Sequence, residues 1–377
     1  MASIETYFPT GIVTGDAFCN REHEREYLAK RFQQNAHVVL MSPRRYGKSS
    51  LIAQFTVEQN VPFSAIDLLP ATSGKYIKNA IINGVTQLLD AIMPRMKKSK
   101  QRLLAHFAKM NPVIELSAFG QRIKLNPDDK TDEETVMKLL MSLDEAAQEM
   151  NKKIIFVMDE FQQIALVENS HSLEASIRHA VERSKNVFYV FSGSNRTLLE
   201  DMFNNMNRPL YHLCDEIKLN RISEDYYIPF INNAAKATWR STLADDCLAK
   251  IMALTECHPY YVNRLCRSLW DSSSLPDVEF VERTWQTYIE AQKIDWVADM
   301  ISQLSINQKK ILVHLAKNPN IQIQSKRVAN KVGMVGSSIQ RTVEILLRGD
   351  LIYKDNNGNY RVLNPVIKAI LANDKYS

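Results

Sequence analysis

The segment Ala36 to Ser49, AHVVLMSPRRYGKS, constrains the fold of this chain more than any other stretch. Ala36 to Met41 is a short apolar run that reads as a buried strand, and Lys48 to Glu58 reads as a helix. Strand, loop and helix in that order form the front of a βαβ unit. Residues 42–49 match the phosphate-binding pattern GxxxxGK[ST], except that Ser42 stands at the first glycine. A loop of this kind aims successive backbone N–H groups at a phosphate, where the helix dipole also favours negative charge. Gly47 permits close backbone approach, Lys48 would neutralise phosphate charge and the Ser49 hydroxyl would ligate Mg²⁺. Pro43, Arg44, Arg45, Tyr46, Gly47, Lys48, Ser49 and Ser50 are therefore candidate nucleotide-binding residues.

A partner for this loop follows about a hundred residues later. Lys153 to Met158 (KIIFVM) is a second strongly apolar strand, and it ends in Asp159 and Glu160. Carboxylates at the carboxyl edge of a parallel sheet lie where open α/β folds bind ligands. Asp159 would hold Mg²⁺, and Glu160 would polarise an attacking water as a general base. A third buried strand, Val187 to Phe191, leads into Ser192, Ser194 and Asn195. Ser194 and Asn195 are candidates to sense the terminal phosphate or place the water; a plain strand-to-helix cap is the other reading of this strand end. Arg178, Arg183 and Arg208 are candidate arginine fingers, each also readable as a surface arginine.

Around these motifs the chain alternates apolar strands with amphipathic helices. A strand is expected at Pro62 to Asp67, with helices at Asp16 to Gln34, Lys75 to Met96, Thr131 to Asn151 and Leu173 to Ser184. Val113 to Leu125 reads as a hairpin and Lys97 to Arg102 as a basic patch. Such alternation argues for a parallel sheet covered on both faces. After Ile217 to Leu219 the strand signals stop, and Glu224 to about Thr284 is helical in pattern, continuing through Ile289 to Leu304. From about Ser305 three short helices, Asn307 to Lys317, Ser325 to Val332 and Ser337 to Arg348, precede Leu351 to Tyr353 and Tyr360 to Val362, which flank an Asn357-Gly358 turn signal. Three helices and a β-hairpin describe a winged helix. The expected domains are 1–222, an α/β domain; 223–300, a helical lid; and 301–377, a winged helix. A length of 377 residues suits two or three such units.

Composition decides fewer questions. With 45% hydrophobic and 24% charged residues the chain reads as globular. No apolar run reaches the roughly 18 residues of a membrane span, and the first residues lack a signal-peptide pattern, so a cytoplasmic protein without membrane contact is expected. The five cysteines include no CxxC pair, which points away from a disulfide framework or a zinc site. Residues 301–377 carry 12 lysines and arginines against 4 aspartates and glutamates, a net of +8 that leaves −3 for the rest of a chain carrying +5. A basic module on an acidic body suits an anionic partner such as double-stranded DNA, although a basic surface with no ligand has the same charge. If it reads DNA, Ser337, Ser338, Gln340 and Arg341 would meet base edges and Arg361 the backbone.

The combination of Asn20-Arg21-Glu22-His-Glu24, SPRRYGKSSL, VMDEF, FSGS, Arg208-Pro-Leu-Tyr211 and His258-Pro-Tyr-Tyr resembles the archaeal-type ATPases of the AAA+ superfamily, close to the STAND NTPases. The resemblance covers roughly residues 15 to 270. It implies an α/β fold of the P-loop NTPase class, ASCE and AAA+-like, whose parallel sheet carries a helical lid and often a C-terminal winged helix. It also implies that Asn20 and Arg21 precede the nucleotide pocket and that His258 with Pro259 lies where the lid meets the nucleotide. The chain departs from the family pattern at Ser42, at Cys257, where a glycine is usual before His-Pro, and at Leu213, where the family carries an arginine. The implied activity is Mg²⁺-dependent ATP hydrolysis driving a conformational switch or motor, with a winged helix that meets DNA or a protein partner, and possible assembly into a homo-oligomer. The competing expectation is a DNA-binding regulator, or a mobile-element or defence factor, in which ATP controls assembly rather than being turned over rapidly.

Overall fold

The computed structural model describes residues 7–92, 114–119, 122–127, 132–293, 296–318, 323, 325–355 and 358–372. The basic patch Lys97 to Arg102 and Asn357 of the turn signal lie outside the described residues. The chain divides into two compact units: Arg21–Arg44 with Lys48–Asn220, and Met1–Asn20 with Arg45–Gly47 and Arg221–Ser377.

The first unit is built on a five-stranded sheet. Its strands are β1 (Val38–Met41), β2 (Phe63–Asp67), β5 (Ile154–Asp159), β6 (Val187–Gly193) and β7 (Asp215–Lys218), in the order β2-β5-β6-β1-β7. Every pairing in it is parallel. β1 and β6 are buried at every position and β5 at all but its last, as a sheet packed on both faces requires, whereas edge strand β2 alternates exposed and buried residues. The core against the sheet collects Val39, Met41, Phe156, Met158, Tyr189 and Phe191 from the strands, and Ile81, Val85, Leu139, Leu143 and Ile177 from the covering helices. Between these elements β3 (Ile114–Phe119) and β4 (Arg122–Pro127) form the expected antiparallel hairpin.

Local chemistry sets the element ends. Asp132 caps the Glu133–Glu149 helix by accepting from the Thr135 N–H at 2.8 Å, one residue past the start expected from periodicity. The helix expected over Asp16 to Gln34 begins only at Glu22, because Asn20 and Arg21 both take left-handed backbone angles that no α-helix accommodates. A 3₁₀ turn at Gly15–Ala17 precedes them. Two further elements were not legible in the sequence: the 3₁₀ turn Phe161–Leu166 directly after the paired acids, and a last helix, Pro365–Ala372.

In the second unit the expected helical tract resolves into Glu224–Trp239, Asp245–Thr255, Pro259–Leu269 and Val278–Lys293. Left-handed Arg240 closes the first of these helices and left-handed Glu256 the second. Ile306–Lys317, Lys326–Val332 and Gly336–Arg348 follow, then the antiparallel pair β8 (Ile352–Lys354) and β9 (Tyr360–Val362), which completes a winged helix. Ser305 and Gln308 form a reciprocal capping box at the start of this module. One apolar cluster runs through the lid helices and the winged helix, taking in Ile231, Ile251, Leu265, Trp285, Ile311, Val343 and Ile367. No helix among the described residues is long and apolar enough to cross a membrane.

Candidate functional site

In the first unit, the carboxyl ends of β5 and β6 and the start of the Lys48–Gln59 helix bring a set of polar and charged side chains together. The Ser49 hydroxyl donates to Asp159 Oδ2 at 3.4 Å, and Asp159 Oδ1 accepts from the Ser192 hydroxyl at 2.5 Å and from the Glu160 N–H at 3.0 Å. Lys48 is buried, with Nζ 3.8 Å from Glu160 Oε1. The other carboxylate oxygen, Glu160 Oε2, accepts from the Ser194 hydroxyl at 2.7 Å, the Ser194 N–H at 3.4 Å and Gln162 Nε2 at 2.6 Å. Arg44 Nε lies 3.4 Å from the Ser194 hydroxyl.

Two adjacent carboxylates on a regular strand would point to opposite faces of the sheet. Here Glu160 adopts φ 52°, in the left-handed region, and the strand ends at Asp159. That turn lets both side chains serve one cluster, at a backbone cost on the order of 1–3 kcal/mol for a non-glycine residue. Burial alone would raise the Glu160 pKa, but the hydrogen bonds from Ser194 and Gln162, followed by the Lys48 charge, outweigh it and hold the carboxyl below its ordinary value. Ser49 and Asp159 offer hard oxygen donors, the kind Mg²⁺ takes one or two of while keeping its waters, so the residues present fit that ion.

The irregular first position of the loop has a local explanation. Ser42 is fully buried, its hydroxyl donates to the Pro43 carbonyl, and its backbone lies outside the left-handed region, so a side chain is tolerated there. Gly47 has φ 86° with open space where a Cβ would sit, so its conformation rather than crowding favours glycine. Ser50 is buried on the first turn of the helix.

The loop tip, Arg45 to Gly47, groups with the second unit. Arg45, itself left-handed, stacks its guanidinium 4.3 Å over the Tyr260 ring. Buried Tyr46 meets the His258 ring edge-on at 4.7 Å and accepts from Arg221 Nε at 3.4 Å. Arg221 also donates to the Glu256 carboxylate and carbonyl and to the Leu363 carbonyl, and lies 4.8 Å over Tyr353. Lys368 pairs with the same Glu256. No sequence signal marked Arg221, a lone arginine between a strand and a helix. Cys257, where the pattern it resembles has glycine, has φ 56°, the backbone region that glycine enters most easily.

His258 is the N-cap residue of the Pro259–Leu269 helix, with Pro259 at its first position. Its ring is buried and Nδ1 has no partner. Burial first, then the nearby Arg221 and Arg45 charges, pushes its pKa down to about 3. A histidine neutral when folded but protonated below about pH 6.5 when unfolded gives stability that is complete above that pH and is lost as pH falls toward about 3. Urea unfolding of the wild type should therefore lose stability between pH 6.5 and 4, at up to about 1.4 kcal/mol per pH unit from this group. His258→Gln should flatten that slope; an unchanged slope in the variant would refute the assignment.

Several expected site residues have other engagements. Asn195 is exposed and caps the Arg196–Asn204 helix, accepting from the Leu198 N–H at 3.1 Å, in line with the capping reading of this strand end. Arg21 donates to Glu24 at 2.9 Å and to the Asn220 carbonyl at 2.7 Å, and Asn20 immediately precedes it. Arg208 pairs with fully buried Glu174 at 2.5 Å, while Arg178 donates to the Pro209 and Tyr211 carbonyls and Arg183 to the His179 carbonyl. These arginines have intramolecular partners, and nothing in their geometry favours a finger. In the winged helix Ser337, Gln340 and Arg341 are exposed and Ser338 is half-buried, with Gln340 donating to Glu344 at 3.3 Å. Arg361 is paired with Asp355 at 2.7 Å.

No family model and no curated protein matches the sequence. Among solved structures, the Walker-type ATPase of Pyrococcus abyssi is similar over 96% of this chain and 97% of its own, with 17% identity and a TM-score of 0.67. The ORC2 protein of Aeropyrum pernix, solved with ADPNP and ADP, is similar over 98% of this chain and 95% of its own, with 11% identity and a TM-score of 0.55. These likenesses show the fold: an α/β P-loop NTPase fold, AAA+-like, whose parallel sheet is joined by a helical lid and a C-terminal winged helix.

Proposed function

We propose that this protein binds ATP together with Mg²⁺ and hydrolyses it, using the nucleotide as a conformational switch coupled to its winged helix. The observation that carries the proposal is the convergence of Lys48, Ser49, Asp159 and Glu160 from two elements distant in sequence, with Ser49 on Asp159 and Lys48 beside Glu160. Ser49 and Asp159 would hold Mg²⁺, whose chemistry when bound is to neutralise charge on the phosphate oxygens. Lys48 and the backbone of residues 43–50 would bind the phosphates. Glu160 would take the proton of the attacking water, and Ser194 would hold that carboxylate in place. The two solved neighbours support the ligand class, since one is called a Walker-type ATPase and the other was solved with ADPNP and ADP. We keep the division into 1–222, 223–300 and 301–377 as the functional one.

The basic C-terminal segment favours a second reading, in which a DNA-binding regulator uses ATP to control assembly. Arg341, a cation exposed on the Gly336–Arg348 helix, would be a duplex contact in this reading. Phosphate release measured with and without duplex DNA, alongside mass by light scattering, separates the two. Mg²⁺-dependent turnover is the expected result. ATP binding without turnover, together with salt-dependent duplex binding weakened by Arg341→Ala, would overturn the ATPase reading in favour of the regulator.

A further inference from the structure

Gln162 lies on the 3₁₀ turn Phe161–Leu166 that follows the paired acids, and it is 3% exposed. Its Nε2 donates to Glu160 Oε2 at 2.6 Å. Chemistry sets the amide orientation, because an amide oxygen turned toward a carboxylate at that distance would be repelled. The amide oxygen is therefore turned away, toward Gly193, and there it is buried with no donor. A Cβ on Gly193 would collide with that oxygen and crowd Leu199, so glycine at the end of β6 is what makes room for the amide. A buried acceptor left without a donor costs about 1–3 kcal/mol. The apolar surroundings, with Phe161 and Leu199 fully buried nearby, would suit an aliphatic side chain better on packing grounds alone.

What the amide accomplishes is visible at Glu160. Three donors, Gln162 Nε2, the Ser194 hydroxyl and the Ser194 N–H, converge on Oε2, while Oε1 is the oxygen that faces Lys48. A carboxylate held through one oxygen from two sides cannot rotate about its terminal bond without breaking those bonds, so its second oxygen has a defined direction.

We propose that Gln162, seated on Gly193, is a positioning residue that fixes the rotation of the Glu160 carboxylate and presents Oε1 to the reacting water. This rests on the reading of Glu160 as the base of ATP hydrolysis. Gln162 touches neither nucleotide nor water in this assignment and acts only through Glu160. Gly193 is its partner, setting the far wall that keeps the amide in place.

The test combines kinetics with nucleotide-free crystal structures of the full chain. Gln162→Leu and the longer, unbranched Gln162→Met remove the donor while keeping apolar volume, and Gly193→Ala displaces the amide from behind. All three are expected to lower kcat on the order of tenfold to a hundredfold. The ATP dissociation constant by calorimetry should stay within about twofold, because no phosphate contact is lost. In the Gln162→Met crystal structure the Glu160 carboxylate should be rotated relative to wild type. An unrotated carboxylate, or a kcat in Gln162→Met within about twofold of wild type, overturns the proposal. If the wild type binds ATP but turns none over, the ATPase reading fails, and the crystallographic comparison alone decides whether Gln162 sets the Glu160 carboxylate.

Discussion

Lys48→Ala is expected to abolish ATP binding measured by calorimetry in the presence of Mg²⁺, with a loss of affinity of at least about a hundredfold, or roughly 2.7 kcal/mol. The ammonium is buried at the first turn of the helix that follows the loop, where the helix dipole already favours an anion. Without a phosphate its neighbour is Glu160 Oε1 at 3.8 Å, a distance at which the pair is an ion pair but a long one for a hydrogen bond. A triphosphate with its higher charge density would compete well for that cation. Removing the lysine also leaves Glu160 in a partly buried position with only neutral donors, so the site would repel the incoming phosphate. Thermal unfolding by circular dichroism separates this loss from misfolding: a variant that melts cooperatively near the wild-type temperature yet binds no ATP supports the assignment. Equal affinity in wild type and variant would sink both nucleotide readings.

That expectation began with residues 36–49, and the local part of the site is what the sequence reveals best. β1, the loop and the Lys48–Gln59 helix follow each other in the chain, so apolar runs and one glycine were enough to read them. The acids at the end of β5 were legible for the same reason. What no local pattern shows is that β6 lies between β5 and β1, since its pairing with β1 is made by packing across more than a hundred residues of chain. That insertion sets Ser192 and Ser194 against the two acids. Asn195, one residue further along, turns to the neighbouring helix end instead, and residue type alone does not separate a cap from a sensor.

Charged residues were the least legible. An arginine looks the same in sequence whether it stacks on Tyr260, as Arg45 does, joins buried Glu174, as Arg208 does, or gathers Tyr46, Glu256 and Leu363, as Arg221 does. Each of these partners lies far away in the chain. Arg21 illustrates the same limit: its place in a family motif suggested the nucleotide pocket, and the structure shows it donating to the carbonyl of Asn220, just past the end of β7.

Glu160→Gln separates binding from chemistry. The substitution keeps the shape of the side chain, and its amide oxygen can still accept from Ser194 and Gln162, so the position of the group should be retained. It loses the negative charge, and with it the attraction to Lys48 and the capacity to take a proton. Phosphates do not depend on that charge for binding and are repelled by it, so ATP affinity should stay within severalfold of wild type or tighten. Turnover is expected to fall by about 10² to 10⁴, the usual contribution of a positioned general base. The wild-type carboxylate is suited to the role in neutral solution: its surroundings hold its pKa below the ordinary value, and it is therefore already ionised when water must be deprotonated. A lowered pKa also makes it a weaker base, which is why geometry rather than basicity must supply most of its effect. Single-turnover phosphate release at saturating ATP is the decisive measurement, since it excludes product release from the rate. A variant that cleaves ATP at close to the wild-type rate would assign the proton to another group, and Asp159, the nearest other carboxylate, would then be the residue to replace.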